Sequence, residues 1–315
     1  MFLKRIRKTD VLIFLIIFAA VGLIFYARQR PYSEDNQYSI VDYSKLPKVY
    51  LATSFPLASD WIKAAGQDRV DIRVFSSPTD SGLENWISDA SKDGQGFDYR
   101  IFFSIGNGFD DWANSLESQS SKIKVIPLDQ FISKNQISYP DILNPKNNLK
   151  TTQTYYWLSL ENIREVVQGI ARNLGQLDVG NKEYYINNAY EYSIQLDTLL
   201  RESLDTLKSF KTESVALDTT KWAPLVDSLQ LHTVGAFDIN SGQYDADKAG
   251  TILRSYLKKA GAKTVITDNN SDPQSVSVLL QDSSFKVVIL DPWGINSVSY
   301  INYIRDAISQ IMRSL

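Results

Sequence analysis

No cysteine occurs among the 315 residues, and histidine occurs once, at His232. The first absence excludes disulfides, thiolate metal ligands and a lipid-modified cysteine behind a signal peptide. The second nearly closes zinc and copper chemistry, which relies on His and Cys donors. A Ser-His-Asp or Cys-His enzyme would have to use His232 itself, and no G-x-S-x-G nucleophile elbow is present. No strong excess of positive charge exists either, with 33 Lys and Arg against 36 Asp and Glu. Six of those basic residues and one acidic residue fall in the first thirty positions, so the remainder is net acidic by eight. A net acidic domain argues against nucleic acid as a partner.

What is present is a chain that can build real cores. Hydrophobic residues make up 43% and aromatic residues 12%, a composition that disordered chains lack. The start stands apart. Lys4, Arg5, Arg7 and Lys8 precede a charge-free run over 11–27, and Arg28 and Arg30 close it. A helix of about that length just spans a bilayer, and the basic residues ahead of it set the N-terminus in the cytoplasm. A cleaved signal peptide would want small residues after the apolar core. Tyr26 and Arg28 are poor neighbours for that, so an uncleaved anchor over 1–30 is expected. Residues 31–47 are polar and read as a tether.

Beyond the tether, strands alternate with helices. Strands are predicted over 48–53, 70–75, 99–103 and 122–127, with a helix over 58–65 ended by Gly66 and further helical stretches between. Such alternation implies a mainly parallel sheet covered on both faces. The middle is helical. Ile163, Val166, Val167, Ile170 and Leu174 share one face. A longer helix over 182–210 carries Tyr185, Ala189, Tyr192, Leu196, Leu199 and Leu207 as its apolar stripe, with Asp197 and Arg201 as an i,i+4 pair. The alternation then restarts, with strands over 214–217, 231–237, 264–267 and 286–290 and helices over 245–260 and 300–315. The expected fold is therefore α/β: an N-terminal lobe over 48–181 and a C-terminal lobe over 211–315, each with a mainly parallel sheet, joined by one long backbone helix.

Several segments carry a resemblance in their order and spacing. Tyr156-Trp157-Leu158 is followed by Asn162, then Leu177-Asp178, then Tyr184-Tyr185. Phe55-Pro56-Leu57 follows the first strand, and Leu290-Asp291-Pro292-Trp293-Gly294 precedes Ser299-Tyr300. This pattern resembles the periplasmic zinc- and manganese-binding solute-binding proteins of ABC transporters over nearly the whole ectodomain. The resemblance implies a cation held between the lobes by three His and one carboxylate, or two of each. Here the implied ligand positions fall on Gly82, Gly108, Tyr155 and either Thr219 or Thr220. Only the carboxylate is retained, as Asp291. His232 lies well past the ligand position in a predicted strand and reads as structural. Glu84, Asp110 and Asp111 sit one to three residues from the lost positions. With Asp291 they would make an oxygen-only cluster suited to Ca²⁺, Mg²⁺ or Mn²⁺; the plainer reading is that they are loop caps and solvated charges. Asp291, just before Pro292, is also a natural turn residue. Trp86, Trp112, Tyr155, Tyr156, Trp157, Trp222 and Trp293 are expected near the cleft, lining it or packing it.

The expectation is a membrane-anchored, extracytoplasmic solute-binding protein with a degenerate metal site, in which any divalent metal is weakly bound. The resemblance implies an ABC permease as partner. The rival reading is a cell-surface scaffold on the same fold with no small ligand. No enzyme is expected, since no base, nucleophile or cofactor motif is evident.

Overall fold

Buried strands followed by capped helices set the architecture. The computed structural model describes residues 42–80, 82–92, 100–133, 137–144, 146–151, 154–210, 213–237, 246–268, 284–295, 297 and 299–315. The expected anchor and all but the end of the tether lie outside the described residues. Among the described residues no helix is long and apolar enough to cross a membrane. Met1–Lys45 forms a unit of its own. Its described end is a short turn, Tyr43–Lys45, where Asp42 pairs with Lys45 at 2.9 Å.

The second unit, Leu46–Leu315, opens with β1 (Val49–Thr53), α1 (Pro56–Gly66) and β2 (Val70–Val74). Pro56 begins α1, where its missing N–H costs nothing. Then come α2 (Leu83–Ser91), β3 (Ile101–Ser104), the single turn α3 (Leu116–Gln119) and β4 (Lys124–Pro127). These four strands form a parallel sheet in the order β2-β1-β3-β4. An antiparallel hairpin follows, β5 (Ile137–Pro140) with β6 (Asn148–Thr151).

Two long helices come next. In α4 (Leu160–Leu177), the side chain of Ser159 caps the N-terminus by accepting from the Asn162 N–H at 3.3 Å. The helix α5 (Lys182–Leu207) has 26 residues, roughly 39 Å at 1.5 Å per residue. The whole predicted stripe, Tyr185 to Leu207, is buried. Asp197 does not close on its own helix as expected. It accepts from Arg164 of α4 at 2.9 Å, tying the two helices together. Asp60 of α1 accepts from the Tyr192 hydroxyl at 3.2 Å and from the Tyr300 N–H at 3.0 Å.

The C-terminal half holds β7 (Ser214–Leu217), α6 (Ala223–Ser228), β8 (His232–Ala236), α7 (Ala246–Ala260), β9 (Thr264–Asp268), β10 (Lys286–Leu290) and α8 (Tyr300–Ser314). Its sheet is again parallel, ordered β10-β9-β7-β8. One continuous core runs through both halves, from Leu51 and Trp61 through Trp157 and Leu196 to Leu217 and Tyr300.

The β5–β6 hairpin was not anticipated. It belongs to the stretch assigned to the N-terminal lobe, yet it packs on the C-terminal sheet. Asp141 bridges to Ala236, and the Ile142 N–H donates to the Ala236 carbonyl at 2.9 Å. Ile142 and Leu143 are buried among Phe237, Leu253 and Val265. Gly235 permits this approach: a Cβ there would lie 2.8 Å from both the Pro140 carbonyl and Ile142.

Candidate functional site

Each sheet is built around a switch of direction. From β1 the chain goes to β2 on one side and returns to β3 on the other; β7, β8 and β9 repeat this. In open parallel sheets such switch points leave a crevice beyond the carboxyl ends of the two central strands, and ligands bind there. The residues that follow β1, β3, β7 and β9 therefore define the site.

The N-terminal crevice is closed by the chain's own loop. After β3, Gly106, Asn107 and Gly108 all have positive φ, at 81°, 51° and 83°. Gly and Asn tolerate this region best. A Cβ on Gly106 would also fall 2.3 Å from an Asp129 carboxylate oxygen. The turn folds Asp110 back over the strand end. Its carboxylate accepts from the N–H groups of Ile105 and Gly106 at 2.7 and 2.9 Å, and from the Ser54 hydroxyl that follows β1. Asp110 is buried and fully engaged in this loop.

Above it lies an aromatic cluster of Phe55, Phe109, Tyr155, Trp157 and Trp293. Phe109 stands 5.4 Å from Tyr155, 5.2 Å from Trp157 and 5.5 Å from Trp293, centroid to centroid. Trp157 and Trp293 meet at 5.6 Å, and Phe55 meets Trp157 at 5.2 Å. Trp157 is fully buried, and its indole N–H donates to the Pro292 carbonyl at 2.7 Å, a bond between the halves. The Tyr300 hydroxyl donates to the Trp157 carbonyl at 2.8 Å, a second such bond.

The C-terminal crevice carries charge. Asp218 follows β7 and Asp268 ends β9, both buried. Thr267 donates to Asp218 at 2.6 Å. Lys221 reaches Asp268, Nζ to Oδ2, at 2.8 Å; the Asp268 side chain is 0% exposed and that of Lys221 29%. Thr219 orients this turn by accepting the Lys221 N–H at 3.0 Å. The Lys221 ammonium also sits 5.8 Å from the centre of the Tyr155 ring, within cation–π range. Burial pushes the Tyr155 phenol above its ordinary value; Lys221 opposes this and Asp268 adds to it. Tyr155 is thus a neutral phenol at physiological pH.

Of the expected ligand positions, Tyr155 packs against residues that adjoin the others in the chain. Tyr155 contacts Phe109, beside Gly108, and Lys221, beside Thr219 and Thr220. It also meets Trp293, two residues past Asp291, at 5.8 Å. Gly82 lines a different cavity of about 320 Å³, with Arg73, Phe75, Asp80 and Trp86. Glu84 and Asp111 are exposed. Asp291 accepts the Trp293 N–H at 2.9 Å, as a turn residue does. Among the described residues no three His, Cys, Asp or Glu side chains gather as a metal would require, so the oxygen-only cluster is not assembled there. His232 is exposed at the start of β8, with Nδ1 2.8 Å from the Ser214 hydroxyl.

Trp86 and Trp112 pack against Phe102 on the outer face of the N-terminal sheet rather than in the cleft, and Trp222 is wholly buried. Sequence reasoning passed over Lys221, Asp218 and Asp268. The available signal was an acid closing each of two apolar strands, one of them followed at once by Thr-Thr-Lys.

Residues 51–314 match the family model described as zinc-uptake complex component A, periplasmic. The chain belongs to this family. The chain is 25% identical over 147 residues to the manganese ABC transporter substrate-binding lipoprotein PsaA of Streptococcus mitis, covering 46% of this chain and 48% of that protein. It is 21% identical over 214 residues to the manganese-binding lipoprotein MntA of Halalkalibacterium halodurans, covering 66% and 68%. The chain spans about half the length of the first curated relatives it matches. The fold is shared with a crystal structure of ZnuA, with a TM-score of 0.65, 18% identity and coverage of 85% of this chain and 99% of that one. An FpvC mutant from Pseudomonas aeruginosa aligns with a TM-score of 0.63 and 18% identity, covering 84% and 98%. Against the ligand set implied by the sequence resemblance, the side chains present do not fit a transition metal. Gly82 and Gly108 offer no donor, Tyr155 is neutral, Thr219 holds a backbone N–H, and Asp291 caps a turn.

Proposed function

We propose that this chain is the extracytoplasmic solute-binding component of a metal-type ABC transporter, with a degenerate cation site between its halves. Residues 1–30 anchor it in the membrane, and an ABC permease is its partner. It binds rather than catalyses. What supports this reading is the family match over residues 51–314, together with the Lys221 ammonium that Asp268 holds beside Tyr155, one of the implied ligand positions. Calorimetry on metal-stripped protein tests it. Zn²⁺ and Mn²⁺ should bind no tighter than roughly micromolar, given the shortage of nitrogen and sulfur ligands. Nanomolar zinc binding that disappears in Asp291→Ala would overturn it. The anchor has its own test: protease added to spheroplasts should digest residues 31–315. Full-length protein that stays soluble without detergent would refute that part.

A second reading, a cell-surface scaffold, draws on the aromatic rings packed together in the cleft. It gains if weak metal binding is unchanged in Asp291→Ala and no permease co-purifies.

A further inference from the structure

We infer that the Lys221 ammonium takes the place of the cargo cation, so that the cleft is liganded by the chain itself and Lys221 is the residue that excludes divalent metals. The inference rests on the degenerate-site reading and names the residue responsible. The first support is position. The switch point between β7 and β9 is where the C-terminal sheet presents a ligand site, and the two acids at those strand ends, Asp218 and Asp268, are both buried. Buried carboxylates require a compensating charge or hydrogen bonds. Asp218 accepts from Thr267, and Asp268 holds the Lys221 ammonium at 2.8 Å.

The second support is direction. Lys221 does not extend into solvent, as lysine side chains usually do. Its backbone is fixed by Thr219, and its ammonium lies between Asp268 of the C-terminal half and the Tyr155 ring of the N-terminal half. Tyr155 is itself one of the implied ligand positions. A single positive charge is therefore bonded to the C-terminal half and faces the N-terminal half at Tyr155, an implied ligand position. A divalent cation entering there meets an ammonium within a few ångströms, in surroundings where charges are poorly screened. It must also compete with that ammonium for Asp268.

Removing the ammonium should reopen the site to hard cations, because the remaining donors are oxygens. The test is calorimetric titration of Mn²⁺ into full-length, detergent-solubilised wild type, Lys221→Met, Lys221→Arg and the double variant Lys221→Met/Asp268→Asn. Lys221→Met should bind Mn²⁺ at least tenfold more tightly than wild type. Lys221→Arg should stay at the wild-type level, and the double variant should lose the gain. A folded Lys221→Met whose affinity equals that of wild type overturns the inference. Tight binding by the wild type instead overturns the degenerate-site reading, so the two failures are distinguishable. Should Lys221→Met not fold, reductive methylation of the wild type with mass-spectrometric readout decides the matter. Lys221 should be modified at least tenfold more slowly than Lys45, whose side chain is 82% exposed. Equal rates overturn the inference.

Discussion

At the scale of single residues, the strongest commitments of this chain are carboxylates turned inward. Asp178, between the two long helices, accepts from Arg69 at 2.5 Å, from the Tyr185 hydroxyl at 2.7 Å and from Asn181 at 2.9 Å. Burial raises its carboxyl, but the bonds from Tyr185, Arg69 and Asn181 outweigh that and hold it below the ordinary value. Breaking such a pair from one side leaves Arg69, only 6% exposed in its side chain, without its counter-charge. Asp178→Ala should therefore cost about 3–5 kcal/mol in urea unfolding. The sign with pH follows from the lowered carboxyl. Its stabilisation is complete above the unfolded value of about 3.9 and is lost as pH falls through the lower folded value. Asp178→Asn should flatten the acid limb of the stability curve below about pH 4; an unchanged limb would dismiss the assignment. In the sequence, Asp178 is visible as half of a Leu-Asp pair, but its three partners are not. Lys221 and Asp268 are harder still, because 47 residues separate them and only the parallel pairing of β7 with β9 makes them neighbours. Asp110 reads from the sequence either as a spare carboxylate near a vacated ligand position or as a loop cap, and the structure makes it the cap. The left-handed turn before it, invisible as geometry, turns it onto backbone N–H groups.

At the scale of elements, periodicity decided what could be read. The stripe of α5 recurs at three- and four-residue steps, and every member is buried, since a helix that long must present one face to the core. The inner strands of both sheets were legible because buried parallel strands are apolar on both faces, and the edge strand β2 because Val70, Ile72 and Val74 alternate with Asp71 and Arg73. The hairpin was not. Its strands are four residues each, polar in alternation, and what buries them is a distant edge, β8. Within α4, Gly169 shows how closely elements meet. A Cβ there would lie 2.3 Å from the Phe131 ring. Gly169→Ala improves helix propensity by about 1 kcal/mol, but overpacking typically costs about 1–3 kcal/mol. The expected result is a net loss of thermal stability, with Phe131→Ala in the same chain relieving the clash. A Gly169→Ala variant more stable than wild type would show that the Phe131 contact yields freely.

At the scale of the whole molecule, the halves are held by more than the helix that crosses them. Trp157 donates to Pro292, Tyr300 donates to Trp157, and the hairpin lends Ile142 and Leu143 to the C-terminal core. The sequence gives no hint of that loan, because residues 137–151 lie in the stretch that reads as one lobe. Its consequence concerns biosynthesis. Ile142 leaves the ribosome roughly ninety residues before Ala236, the residue its backbone bonds to. At about 5–20 residues per second, these two apolar side chains wait on the order of 5–20 s for the surface that covers them. During that interval the nascent chain carries an unpaired hairpin of the kind that other chains can capture. Chains stalled near residue 200 should be cut readily between residues 141 and 144 by a broad-specificity protease, and full-length released chains should resist. Equal resistance at both lengths would mean that the hairpin finds shelter within the N-terminal half first. An emerging chain of this design is best protected by a holdase that recognises the hairpin itself, rather than by faster folding of either half.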